Sequence, residues 1–453
     1  MSTPDTAALL RDAALRASRY LESIGDRPVA PSASAIEGLA ALDVPMPGEP
    51  ADAAAVLADL DELVGPATMA MAGPRFFGFV IGGALPVTVA ANMIATAWDQ
   101  NSARSDVTPG TARVEAVALR WLVEVLALPA GTAGGFVTGA TLANFTALAA
   151  ARHALLAREG WDVEARGLFG APEIEVVVGA EVHVSVHKAL SLLGLGKARV
   201  TVVPADAQGR MRADVFPRIG PRTIVCLQAG NVNTGAFDPA EELVPLARAA
   251  GAWVHVDGAF GLWARAAPGR AVLARGFEGA DSWATDLHKW LNVPYDSGVA
   301  LVRDEAALRA AMSMSAAYLP EGRLRDPAEY TPELSRRARG VEAWAALRAL
   351  GRSGVAELVE RSCRQARRFA EGLAAAGHRV LNDVVLNQVV VSFGDPDRTR
   401  RVIAAIQRDG TCWCGGTTWQ DHVAMRISVS SWATTDADVE RSLHAMLRAA
   451  REV

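Results

Sequence analysis

The chain has 453 residues, a formal net charge of −5, 51% apolar residues and 21% charged residues. Such a length exceeds one small core and points to two or three domains of ordinary globular composition. The charge leaves no footprint for nucleic acid or an anionic membrane surface.

The chain opens on MSTPDTAALLRDAALRASRYLESIGDRP, which carries charges throughout and holds no apolar core of signal-peptide length. Residues 1–65 read as helices, with Ala- and Leu-rich runs near period 3.6 broken around Pro28–Pro31 and Pro45–Pro50. This segment is expected to pack on a partner subunit. Phe76 to Trp98 is free of charge and long enough to cross a bilayer. Gly78, Gly82, Gly83, Pro86 and Asn92 interrupt it, so a buried loop and helix is the better reading.

Over 66–305 the pattern changes. Runs rich in β-branched residues (IEVVVGA at 174–180, ARVTVVPA at 198–205, RTIVCLQA at 222–229, AWVHVDGA at 252–259, GVALVRD at 298–304) alternate with amphipathic stretches such as PAEELVPLARAAG at 239–251. Strands alternating with helices predict βαβ units and a largely parallel sheet. A loop-like stretch near 312–332 precedes a helical run over 333–376. Strand candidates at 384–393 and 424–431 then alternate with helices at 396–409 and 436–451. Residues 306–453 therefore read as a loop followed by a smaller α+β domain. Of the four cysteines, only Cys412 and Cys414 are close in sequence. They are too few for a structural zinc site, and four thiols in so long a chain suit a reducing cytoplasm.

Four motifs carry chemistry. In DSWATDLHKWLNVPYDSG (281–298), Lys289 follows a short strand among Trp283, Leu287, Trp290 and Leu291. Apolar surroundings disfavour an ammonium, and a neutral amine is what Schiff-base chemistry needs. A surface lysine beside a buried Trp fits the same letters. In AWVHVDGAFG (252–261) a strand ends in Asp257, at the sheet edge where ligands collect. A carboxylate there would pair with a protonated pyridine nitrogen and keep the ring an electron sink, or would simply cap a turn. GGFVTGATLANFTALAAAR (134–152) opens a helix with small residues. Its bare N–H groups and positive dipole end suit a phosphate, with Thr138, Ala140 and Thr141 as contacts. It matches neither GxxxxGK[ST] nor GxGxxG. In AEVHVSVHKAL (180–190), His183 sits between strand and helix, placed to stack on a flat ring or to serve as a capping histidine. His187, one turn further, lies outside the expected site.

Taken in chain order, from the small-residue helix opening at 134–152 through His183 and Asp257 to His288-Lys289-Trp290, the four motifs resemble the group II pyridoxal-5′-phosphate (PLP)-dependent amino acid decarboxylases, the family of aromatic-L-amino-acid, histidine and glutamate decarboxylases. The resemblance runs from PRFFGFV (74–80) to MRISVSSW (425–432). It implies an α/β fold of type I, like aspartate aminotransferase, with a mostly parallel seven-stranded large domain and a smaller α+β C-terminal domain. It implies PLP on Lys289 as a Schiff base, Asp257 on the ring nitrogen, Ala259 under the ring and His183 stacked on the other face. Thr138, Ala140, Thr141, Asp286 and His288 fall where the family holds phosphate. An Asp helps there only through a water or by orienting donors. AGNVNTGAFD (229–238) resembles the family's Gly-Thr-Thr segment, which places Asn233 and Thr234 near the ring hydroxyl and phosphate, with Asn in place of the first Thr.

Tyr318, 29 residues after Lys289, falls where family decarboxylases carry a loop tyrosine that helps return a proton to Cα once CO₂ has left. Related aldehyde synthases commonly have Phe there, so Tyr implies decarboxylation. PRFFGFVIGG (74–83) falls at the family's side-chain pocket. Phe79, Val80 and Ile81 imply an apolar pocket for an aromatic or bulky aliphatic amino acid, and Trp98 is a further lining candidate. The active sites of this fold are shared across a homodimer. The expected activity is conversion of an L-amino acid to its amine and CO₂. Aldehyde synthesis, C–C lyase chemistry and transamination on the same scaffold are the alternatives, and a non-catalytic scaffold protein is the rival from another class.

Overall fold

The computed structural model describes residues 5–313 and 325–453. The first helices are α1 (Thr6–Ser23), α2 (Ala33–Gly38) and α3 (Ala53–Asp59), followed by α4 (Pro86–Trp98) and α5 (Pro109–Val125). The large sheet is then built from β1 (Ala133–Val137), β2 (Glu175–Gly179), β3 (Val200–Val203), β4 (Thr223–Gln228), β5 (Trp253–Asp257), β6 (Ser282–Asp286) and β7 (Gly298–Val302). Between and after these strands lie α6 (Ala140–Arg158), α7 (Val163–Arg166), α8 (Val184–Leu192), α9 (Ala240–Ala249) and α10 (Glu305–Met312). The C-terminal part holds α11 (Gly340–Ala375, interrupted at Gly351), β8 (Arg379–Val380), β9 (Gln388–Ser392), α12 (Pro396–Asp409), β10 (Gly415–Trp419), β11 (His422–Ser428) and α13 (Asp436–Glu452).

The seven strands run in the order β1-β7-β6-β5-β4-β2-β3. Neighbours from β3 to β6 are parallel, and β7 alone is antiparallel to both of its neighbours. The sheet is therefore mostly parallel, as expected. Strands β1, β4, β5, β6 and β7 are buried along their whole length, and β4, β5 and β7 accordingly read as runs rich in β-branched apolar residues. The carboxyl ends of β1, β2, β4, β5 and β6 share one edge; Asp257 is the last residue of β5 there, and the loops leaving that edge carry Thr138, His183, Asn233 and Lys289.

A second sheet, β10-β11-β9-β8, is antiparallel throughout. It packs with α12, α13 and the later part of α11 around Phe369, Val391, Ile406 and Met425. Residues 75–77 stitch the front of the chain to this sheet. Phe77 N–H donates to Trp413 O at 2.8 Å, Trp413 N–H to Arg75 O at 3.1 Å and Ser428 N–H to Phe77 O at 3.0 Å. The uncharged run at 76–98 is a loop followed by α4, and no helix among the described residues is long and apolar enough to cross a membrane.

Strand β1 escaped the sequence pattern because AGGFV reads as a turn. Its glycines are needed for close approach: a Cβ at Gly134 or Gly135 would overlap the Ala300 or Tyr330 carbonyl oxygen. The edge strands β8 and β10 are short and partly exposed, which leaves no apolar run to detect.

Candidate active site

Lys289 sits in the connection from β6 to β7, which is walled by fully buried Leu287, Trp290 and Leu291. The walls are apolar, as the sequence suggests, but the amine itself is not alone. Its Nζ lies 2.7 Å from Asp286 Oδ2. Asp286 Oδ1 accepts the Ala140 N–H at 2.5 Å and lies 3.5 Å from His288 Nε2. One carboxylate thus ties the lysine turn to the amino end of α6. The expected set of Ala140, Asp286 and His288 converges, with Asp286 as its hub. Ser297 N–H donates to His288 Nδ1 at 3.1 Å, and Tyr295 stacks on the His288 ring at 4.2 Å. Burial pushes the His288 imidazole below its ordinary range. Glycines set this seam: a Cβ at Gly298 would fall 2.5 Å from the Gly139 Cα, and one at Gly139 would fall 3.0 Å from His288 Cε1. On the other side, a Cβ at Gly82 would overlap the Lys289 carbonyl oxygen.

Asp257 ends β5 next to that turn, paired in register with Ala284 of β6. It is 4% exposed, and no Lys or Arg among the described residues pairs with it. Its Oδ1 accepts the Ala259 N–H at 3.2 Å, and its Oδ2 accepts from Asn144 Nδ2 at 3.3 Å and Ser185 Oγ at 3.4 Å. Behind Asn144 stands His255, whose Nε2 lies 2.9 Å from Asn144 Oδ1. Burial drives the His255 imidazole down to about 3.

His183 is the N-cap of α8, and its Nδ1 lies 2.8 Å from Ser185 Oγ. Burial lowers its pKa. Asp257 and Asp286 act to raise it, and Lys289 and Arg426 to lower it. Four charges, from the ends of β5 and β6, the turn after β6 and the second sheet, therefore act on this imidazole. Asn233 Oδ1 accepts from Thr417 Oγ1 at 2.9 Å and Arg426 Nη1 at 3.4 Å. Thr234 is fully buried, and its hydroxyl already donates to Gln208 O at 2.7 Å and accepts the Ala236 N–H at 3.2 Å. Thr138 and Thr141 are half-buried at the amino end of α6.

The expected pocket residues part company. Val80 joins the main core and Ile81 packs with Phe76 and Ile24, whereas Phe79 and Trp98 are exposed. Phe79 takes φ of +52°, which turns its side chain out of the run. It stacks at 6.0 Å on Trp413, which stacks at 5.0 Å on Phe76. Tyr318 lies outside the described residues.

Sequence reasoning missed Asn144, Ser185, His255, Tyr295 and Arg426. Two of them left a readable trace. Asn144 is one helical turn past Ala140, and His255 precedes Asp257 by two residues on the same face of β5.

The arrangement fits PLP. A lysine amine suits an aldehyde, a buried carboxylate without a cation partner suits a pyridinium, and a glycine-lined helix amino end suits a phosphate. Among the described residues no cluster of His, Cys, Asp or Glu could hold a metal ion. Residues 37–393 match the pyridoxal-dependent decarboxylase conserved domain. The chain is 30% identical to L-2,4-diaminobutyrate decarboxylase of Rhizobium meliloti (strain 1021), over 81% of this chain and 77% of that protein. It is 27% identical to tryptophan decarboxylase 1 of Oryza sativa subsp. japonica, over 87% of this chain and 80% of that protein. The crystal structure of Oryza sativa TDC with PLP and tryptamine has the same fold, with a TM-score of 0.90 at 22% identity over 100% of this chain and 99% of that one. The chain belongs to the pyridoxal-dependent decarboxylase family and is a PLP-dependent amino acid decarboxylase.

Proposed function

We propose that Lys289 carries PLP, that Asp257 pairs with its ring nitrogen, and that the substrate is an aromatic L-amino acid, converted to its amine and CO₂. The observation that carries the cofactor assignment is the adjacency of Asp257 and the lysine turn on parallel strands, with no cation committed to Asp257 among the described residues. When bound, PLP supplies an electron sink for the pair left by the departing carboxylate. The protein's part is to bind, orient and exclude water. His183 and Ala259 would hold the ring, and Thr138, Thr141, His288 and the amino end of α6 would hold the phosphate. Asp286 ties His288, the amino end of α6 and the Lys289 amine together. Asn233 would hold the ring hydroxyl. The buried hydroxyl of Thr234 serves the loop beneath it.

Arg426 is partly buried, and burial lowers its pKa to about 10, so an anion would stabilise it. Its guanidinium is assigned the orienting of the substrate carboxylate. The Phe76–Trp413–Phe79 stack supports an aromatic side chain in the pocket, with Phe79 and Trp98 at its mouth. Tyr318 is assigned the return of a proton to Cα, from its place in the family pattern. Val87, Met93, Ile94 and Trp98 on α4 and, separately, Leu10, Leu15 and Leu21 on α1 are exposed apolar residues that a second copy would cover. The proposed assembly is a homodimer in the cytoplasm, where four buried free cysteines are stable.

The test is a product screen over the twenty amino acids and common non-protein ones, 2,4-diaminobutyrate included. Amine with CO₂ from an aromatic substrate supports the proposal. Aldehyde with ammonia and peroxide identifies an aldehyde synthase, a 2-oxo acid an aminotransferase, and a cleaved side chain a C–C lyase. Borohydride treatment that fixes the cofactor to the peptide containing Lys289 excludes a purely scaffolding role.

A further inference from the structure

Behind the carboxylate of Asp257 the hydrogen-bonding partners admit one arrangement of protons. A carboxylate only accepts, so the Asn144 amide must turn its NH₂ toward Asp257 and Ser185, at 3.3 Å and 3.2 Å. That leaves Asn144 Oδ1 facing His255 Nε2 at 2.9 Å, and this nitrogen must carry a proton. His255 Nδ1 then presents a lone pair to Ser282 Oγ at 2.9 Å, and Ser282 must donate. The Ser282 oxygen in turn accepts the Trp253 Nε1–H at 2.9 Å. His255, Asn144 and Ser282 are 0% exposed and Trp253 is 2% exposed, so water does not replace these partners. The chain runs in one direction, from the indole of Trp253 to the oxygen of Asp257, and every member is neutral except the last. Burial keeps His255 in its neutral form.

We propose that Asn144 and His255 are positioning residues that fix the Asp257 carboxylate through neutral donors, leaving its charge for the ring nitrogen. A lysine or arginine in their place would orient the carboxylate equally well but neutralise it. A lone hydrophobic wall would preserve the charge but free the rotamer. The neutral relay does both jobs. It also reaches the stacking imidazole, because Ser185 Oγ accepts from Asn144 and makes its shorter contact, 2.8 Å, with His183 Nδ1. This inference rests on the cofactor reading given above.

The test loads the full-length protein with PLP labelled with ¹⁵N in the ring. In the wild type the ring nitrogen should resonate as protonated. Asn144→Leu, which keeps the volume and removes the donor, should move that resonance toward the unprotonated position and raise the dissociation constant for PLP about tenfold. His255→Leu should do the same to a smaller degree, and His255→Gln, which can donate to Asn144 and accept from Ser282, should restore ring protonation relative to His255→Leu. Ser282→Ala frees the His255 tautomer and gives a second reading should Asn144→Leu fail to fold. A fully protonated ring nitrogen with wild-type PLP affinity in both Asn144→Leu and Ser282→Ala would overturn the proposal. A wild type that binds no PLP sinks the cofactor reading itself, a separate outcome visible before any variant is made.

Discussion

The two sides of the site are built differently. On the cofactor side, Asp257, Asn144, Ser185 and His255 are buried, mutually hydrogen-bonded and drawn from elements of one large domain. On the proposed substrate side, Phe79 and Trp98 are exposed, and Trp413, just before β10, stacks on Phe79. The first side is over-determined by a parallel sheet whose strand ends share one edge. The second depends on how a loop, a helix and another domain meet. Under the proposed assignment, chemistry is held by the large parallel sheet and selectivity by a segment outside it.

The largest effect should come from Lys289→Ala, with turnover falling by about 10⁴-fold or more and the circular dichroism spectrum retained. Substantial residual activity would remove the lysine from the chemistry and with it the contrast between the two sides. Asp257→Asn keeps the shape and the Ala259 contact but loses the charge. Turnover should fall about 10²- to 10³-fold, with a far smaller change in KM. A change confined to KM would mean that Asp257 only binds.

Phe79→Ala addresses the other side. The ratio of kcat/KM for aromatic over aliphatic amino acids should drop about tenfold while the absorbance of the bound cofactor is untouched. Loss of the cofactor band in that variant would show that the two sides are not separable.

The smallest effect is on stability. His255 has a folded pKa of about 3 against 6.5 when unfolded. Between those values the unfolded chain binds the extra proton, so stability falls as pH falls, by about 1.4 kcal/mol per pH unit from this residue. Asp238 runs the other way, since burial raises its carboxyl to about 6 and its contribution is lost as pH rises through that value. The difference between wild type and His255→Gln in denaturant midpoints from pH 6.5 to 4.5 isolates the histidine. A difference that stays flat over that range would mean His255 titrates normally.

Much of the cofactor side was legible in the sequence because it obeys short-range rules. A buried strand ends in Asp257, a small-residue stretch opens α6, and Lys289 follows a strand. Asn144 and His255 share faces with residues already singled out, at spacings of four and two, but a helix and a strand buried all round give no reason to pick one polar residue over its neighbours. The pairing of Lys289 with Asp286 was hidden because the turn that brings them together is not helical, so spacing carries no geometry there. Val80 and Ile81 entered the expected pocket through the family resemblance of the segment that holds them. The positive φ at Phe79 reverses which side chains face inward, and no pattern in an apolar run announces that. Arg426 lay in a stretch that reads only as a strand. Its approach to Asn233 exists because the second sheet folds back over the first, 193 residues away in sequence.

Gly82 gives the pocket segment a fixed point. Any side chain there would strike the Lys289 carbonyl, so the backbone of the proposed pocket segment and the backbone of the lysine turn are in direct steric contact. Gly78 is bound in the same way by the Trp413 ring. If the proposed pocket holds, position 79 is the place in this run open to variation, since it lies between glycines at 78 and 82 whose Cβ positions are already occupied.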